Sequence, residues 1–87
     1  LDLGIVSQLT NPEDLLTATL DMAATFAAGP PIAIRMAKRA LYKSIDSSLR
    51  EALEYETYAQ NICSNSQDAK EGIAAFVEKR DPEFTGN

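Results

Sequence analysis

Phe76 and Lys79 stand three residues apart in a stretch that reads as helix, a spacing that puts both side chains on one face. An aromatic ring beside an ammonium suits an adenine carrying phosphate, because the ring packs on the base and the cation meets the anion. A ring turned into a core with the lysine in solvent is the bland alternative at the same spacing. Arg35, Lys38, Arg39 and Lys43 place half of the eight basic residues in one further helical stretch, with 35, 39 and 43 stepping along one side. They could seat a polyanion, or form a solvated face opposite an acidic neighbour. Glu51, Glu54 and Glu56 offer carboxylates. Acid–base or metal chemistry needs such groups converging from separate elements, so three on one helix read as surface. Cys63 lies beside Ile62 on an apolar stripe and reads as a buried thiol rather than a nucleophile.

The absences narrow the chemistry further. With no histidine, Ser-His and Cys-His nucleophilic pairs, His-containing metal sites and a histidine switch are excluded within these residues. A single cysteine excludes an internal disulfide framework and a multi-thiolate zinc site. No metal ligand is therefore assigned. Thirteen acidic against eight basic residues give a net charge of −5, which argues against nucleic acid and anionic membranes as partners. No apolar run reaches the ~20 residues of a membrane span, and the start, Leu1-Asp2-Leu3, has no signal-peptide pattern. The expectation is a soluble intracellular chain, cytoplasmic or in an organellar matrix, and the initial leucine suggests an excised fragment.

These residues must be positioned by elements legible in the pattern. Leu3-Gly4-Ile5-Val6-Ser7-Gln8-Leu9 reads as a short strand or extended segment with nothing later in the chain to pair with. Asn11 as N-cap and Pro12 at the first helical position predict a helix from Pro12, its stripe Leu16, Leu20, Ala23 and Ala27 widened by Leu15 and Phe26. Gly29-Pro30-Pro31 ends it and opens a second helix with Ile34, Ala37, Leu41 and Ile45 on one side. Ile32, Met36 and Ala40 form a second flank, which predicts contacts on two sides. Ser48 with Glu51 has capping-box spacing and starts a third helix, about Leu49 to Cys63, whose stripe contains Glu56. Ser64-Asn65-Ser66 caps a fourth, Gln67 to about Arg80, with Ala69, Ile73, Phe76 and Val77 together and Asp81-Pro82 as its stop. Gly72 weakens that helix, which is tolerable where a backbone or ligand must come close. The tail from Glu83 reads as too short to fold. The expected fold class is all-α, about four helices after a short N-terminal extended segment.

Two resemblances bear on function. Asp46-Ser47-Ser48-Leu49 resembles the Asp-Ser-Leu to which carrier proteins attach phosphopantetheine, but an extra serine interrupts it, and helix capping explains the same residues. The alternative reading is thus a stand-alone acidic helical carrier or interaction module. A more extensive likeness runs from Glu71-Gly72 through Ala75-Phe76, Glu78-Lys79-Arg80, Pro82, Phe84 and Gly86. It closely resembles the C-terminal end of the enoyl-CoA hydratase/isomerase (crotonase) superfamily. Leu3-Gly4-Ile5-Val6, Gly29-Pro30-Pro31-Ile32-Ala33, Ala37-Lys38 and Glu56 fit the same family.

The resemblance implies a parent with a repeated ββα core followed by a helical region that assembles into trimers, often paired as hexamers. Residues 1–11 would be the end of that core, missing here, and 12–87 the C-terminal helical domain. The family's catalytic carboxylates and oxyanion-hole amides lie in the core, so none carries over. The substrate would be a coenzyme A thioester, with no covalently bound cofactor, and the reaction addition of water to a 2-enoyl-CoA, with isomerase and hydrolase relatives sharing this end. Phe76 and Lys79 match the family's phenylalanine and lysine that reach the adenosine end of a coenzyme A held by a neighbouring subunit. Tyr58-Ala59-Gln60 and the Lys79-to-Phe84 stretch look most like the methylglutaconyl-CoA hydratase branch, a pattern that some hydratases of fatty-acid oxidation share.

Overall fold

The computed structural model describes residues 1–87 and contains helices and no strand. Residues 1–10 do not extend as a strand. Leu1 to Gly4 closes a turn, with the Gly4 N–H donating to the Leu1 carbonyl at 2.8 Å and Gly4 at φ +70°. With no second β segment to supply ladder hydrogen bonds, the β-branched residues here cannot form a sheet.

The first helical turn, Pro12–Asp14, is a tight 3-10 turn that leads into α1, Leu15–Ala27. The Asn11 side chain accepts no main-chain N–H; its amide instead donates to Asp14 Oδ2 at 3.3 Å, while its main-chain carbonyl accepts the Asp14 N–H at 3.1 Å. Helices α2 (Pro31–Ser44), α3 (Leu49–Ser64) and α4 (Gln67–Glu78) follow. The capping box forms in full: Glu51 N–H donates to Ser48 Oγ at 3.3 Å and Ser48 N–H to Glu51 Oε2 at 2.8 Å. These hydrogen bonds hold the Glu51 carboxyl below its usual range, the Ser48 main-chain N–H first and its hydroxyl second. Ser66 caps α4 by accepting the Ala69 N–H at 3.0 Å.

Helix α2 packs on α3, and α3 on α4, whereas α1 has no helix partner of comparable extent. The result is a flat plate, 42 × 39 × 19 Å, with a radius of gyration of 16.2 Å. A compact chain of this length has a radius of about 12 Å. Its accessible surface, 7346 Å², likewise exceeds the roughly 5,000 Å² of a compact monomer of 9.5 kDa. Three residues alone are buried: Met36, Asp68 and Ala75.

This burial covers the expected Ile32, Met36 and Ala40 flank of α2 and leaves much of the other expected stripes uncovered. On α2 the flank carrying Met36 faces α3, where Tyr55 Oη lies 3.8 Å from the Met36 sulfur, while Leu41 and Ile45 face outward. On α1, Leu15, Leu16, Leu20 and Phe26 are exposed, and on α4 so are Ile73, Phe76 and Val77. Periodicity identifies an apolar face but does not supply the surface that covers it. The tail is also ordered, contrary to the expectation from its length, because carboxylates of α4 hold it.

Candidate functional site

The end of α4 is set by Lys79. The helix stops at Glu78, two residues before the sequence-based estimate, because Lys79 adopts φ 56°, ψ 43°. Arg80 N–H then donates to the Ala75 carbonyl at 3.1 Å and Lys79 N–H to that of Phe76 at 3.4 Å. This is the paired bonding of a Schellman turn, whose left-handed position favours glycine. A residue with a Cβ sits there at a cost of roughly 1–2 kcal/mol. The helical spacing that would put Phe76 and Lys79 on one face therefore ends at Lys79. The structure brings the two to the same helix end, not to the same helical stripe.

Both are exposed. The Phe76 ring is 85 % accessible, so it is no core residue of this plate. Lys79 takes part in none of the chain's three ion pairs, which join Arg50 to Glu54 and Arg80 to Glu71 and Glu78. An exposed ring and an unpaired ammonium at one helix end can take a planar base and an anion.

Residues 81–87 return along α4 and fasten to its first half. Asp68, 4 % accessible, accepts the main-chain N–H of Thr85 at 2.7 Å on one oxygen and that of Gly86 at 2.9 Å on the other. The main-chain oxygen of Asn87 accepts the N–H groups of Gln67 and Asp68, at 2.6 and 3.2 Å, which have no partner inside the helix. Glu71 accepts the Glu83 N–H at 2.9 Å and two N–H groups of Arg80. Those Arg80 bonds, then that of Glu83, lower the Glu71 carboxyl from its ordinary 4.5 to about 2. Glu71 and Glu78 in turn raise the Arg80 guanidinium above its already high value. Gly72 is covered by the Phe84 ring, whose nearest carbons lie 3.6 and 3.8 Å from where a Cβ would stand.

Asp68, Glu71 and Arg80 were given no role from the sequence, Glu71 and Arg80 entering only as part of the family-like motif. The available signal was the face of α4 opposite its apolar stripe. Residues 68, 71, 72 and 75 recur at helical spacing there, two carboxylates around a glycine and an alanine, ahead of a tail rich in unpaired N–H groups.

The other candidates disperse. The basic residues of α2 make no ion pair with α3; Lys38 lies over the Tyr42 ring at 6.0 Å and Lys43 over that of Tyr55 at 5.8 Å. Glu54 instead pairs with Arg50 of its own helix, at 3.0 Å. Glu56 and Cys63 line an open groove of about 710 Å³ between α2 and α3, floored by Ala33, Met36 and Ala40. No group of three or more acidic or cysteine side chains converges to hold a metal ion. Ser48 Oγ is engaged with Glu51, and Ser47 Oγ donates to the Lys43 carbonyl at 2.7 Å, so both serines of the carrier-like stretch serve helix ends. No helix is long and apolar enough to cross a membrane.

Comparison with known proteins agrees with the motif. The sequence pattern of the family Enoyl-CoA hydratase/isomerase matches residues 1–87. A probable enoyl-CoA hydratase of Mycobacterium tuberculosis is 42 % identical over 82 residues, covering 94 % of this chain and 32 % of that protein. A probable mitochondrial enoyl-CoA hydratase of Arabidopsis thaliana is 36 % identical over 84 residues, 97 % of this chain and 28 % of that one. A crystal structure of an enoyl-CoA hydratase subunit from Geobacillus kaustophilus superposes with a TM-score of 0.91 at 41 % identity, over 99 % of this chain and 34 % of that one. The chain spans about a third of the length of these relatives.

Proposed function

The chain belongs to the enoyl-CoA hydratase/isomerase family, and from that membership we propose that it is the C-terminal helical part, residues 12–87, of a longer enzyme acting on acyl-CoA thioesters. Its reaction is the hydration of a 2-enoyl-CoA, with the catalytic groups outside this chain. Residues 1–11 lead in from that other part. The Tyr58-Ala59-Gln60 pattern favours a methylglutaconyl-CoA-like substrate within the class.

The chain has two tasks in this reading. Its exposed apolar faces on α1, α2 and α4 provide assembly surface, for a trimer or hexamer in the parent. The end of α4 provides the contact with coenzyme A: Phe76 stacks on the adenine, and Lys79 meets the 3′-phosphate. The observation that carries this is the unpaired Lys79 ammonium, on a left-handed turn that favours glycine, at the same helix end as a ring 85 % exposed. A main chain that prefers glycine but carries lysine points to the side chain as the reason.

In the full-length protein, Lys79→Ala should raise KM for an enoyl-CoA about 5–30-fold with kcat nearly unchanged, the worth of one charge-assisted contact. The loss should vanish for the dephospho-CoA ester, which lacks the 3′-phosphate. Phe76→Ala should weaken both esters, since the adenine is common to them. Equal losses for the two esters in Lys79→Ala would reject the assignment.

A further inference from the structure

Lys79 and Arg80 are adjacent cations with opposite circumstances. The Arg80 guanidinium donates two near-parallel N–H bonds to Glu71, at 2.5 and 3.0 Å, while its Nε donates to Glu78 at 2.6 Å. One of the same N–H groups reaches the Asp81 carbonyl at 3.2 Å. Glu71 Oε1 is used again by the Glu83 N–H. The pair thus joins residues nine apart in sequence across Lys79, and the Glu83 N–H bond to the same carboxylate holds the chain that follows. A left-handed residue with a Cβ persists where its surroundings hold it, and these are the groups that hold Lys79. The planar fork of arginine can make both bonds at once, which a lysine in its place cannot.

We propose that Glu71 and Arg80 are positioning residues: their bidentate pair holds the left-handed turn at Lys79, and so sets the direction in which the Lys79 side chain leaves the helix end that carries Phe76. The pair thereby sets how strongly the enzyme prefers an adenosine end that carries a 3′-phosphate. This rests on the coenzyme A reading of Phe76 and Lys79. It adds that the phosphate preference depends on two residues that do not touch the ligand.

The test uses the full-length protein with an enoyl-CoA and its dephospho-CoA counterpart. Arg80→Lys keeps the charge and loses the fork; Glu71→Gln keeps the shape and loses the ion pair. Each should raise KM for the enoyl-CoA about three- to tenfold, leave the dephospho ester within about twofold, and leave kcat unchanged. Added to Lys79→Ala, neither should cause a further loss of phosphate preference, because the contact they position is already gone. Amide exchange at Glu83 reports whether the turn has opened, and it should quicken in both variants. Should Glu71→Gln fail to fold, Arg80→Lys carries the kinetic comparison alone. A selective loss in Lys79→Ala with none in Arg80→Lys overturns the positioning role and leaves the coenzyme A reading standing. Equal losses on both esters in Arg80→Lys, or unchanged exchange at Glu83, also overturn it. A Lys79→Ala enzyme without phosphate-selective loss overturns both.

Discussion

Replacing Gly72 with alanine should strengthen α4, although the position sits beneath a packed aromatic ring. Gly72 lies inside the helix Gln67–Glu78, where glycine is about 0.8–1.0 kcal/mol less favourable than alanine. A Cβ built there meets the Phe84 ring at 3.6 Å and 3.8 Å, ordinary van der Waals contact, so nothing has to move. The full propensity gain should therefore survive, as about 0.5–1 kcal/mol of stability and a rise of several degrees in Tm. Gly86 is the opposite case. It has φ +81°, and a Cβ would stand 3.4 Å from Pro31 Cγ, so Gly86→Ala should destabilise by about 1–2 kcal/mol and loosen the tail. Thermal unfolding followed by far-ultraviolet circular dichroism measures both, at matched protein concentration because association shifts Tm. A Gly72→Ala protein with lower Tm than the parent chain would refute the reasoning, since it would mean that something other than the Phe84 ring needs the space.

Glu71 makes the tail acid-sensitive. Its carboxyl falls from 4.5 to about 2 on folding, so the unfolded state binds its proton first as pH drops. The stability it contributes is complete above pH 4.5 and disappears as pH falls towards 2. Exchange of the Glu83 amide, after correction for intrinsic rates, should lose protection across that window, and Glu71→Gln should abolish that dependence. The 87 residues alone should show no hydratase turnover in an assay following loss of the enoyl-CoA double bond; turnover above buffer would overturn the placement of catalysis outside this chain. With an accessible surface of 7346 Å² and only three residues buried, the isolated chain should self-associate. Sedimentation across a concentration series checks this, and a strictly monomeric, cooperatively folding species at high concentration would contradict it.

What the sequence alone determined is local. Ser48 with Glu51, Ser66, and Pro31 after Gly29 mark helix starts because capping and φ restriction act over three or four residues. The four helices and the family-like run from Glu71 to Gly86 are legible for the same reason. The tertiary structure decided which faces are covered. Leu16, Leu41 and Ile73 recur as core positions should, yet they face outward, because nothing within these residues lies against them. Conversely, Asp68 is one of the three buried residues, since its carboxylate answers main-chain N–H groups 17 and 18 residues away. The helical spacing of 68, 71, 72 and 75 marks a face of α4, but not the tail N–H groups that answer it. The left-handed turn at Lys79 is silent in the sequence, because glycine or asparagine would be expected there, and the Glu71–Arg80 pair joins residues nine apart across a turn that only folding creates.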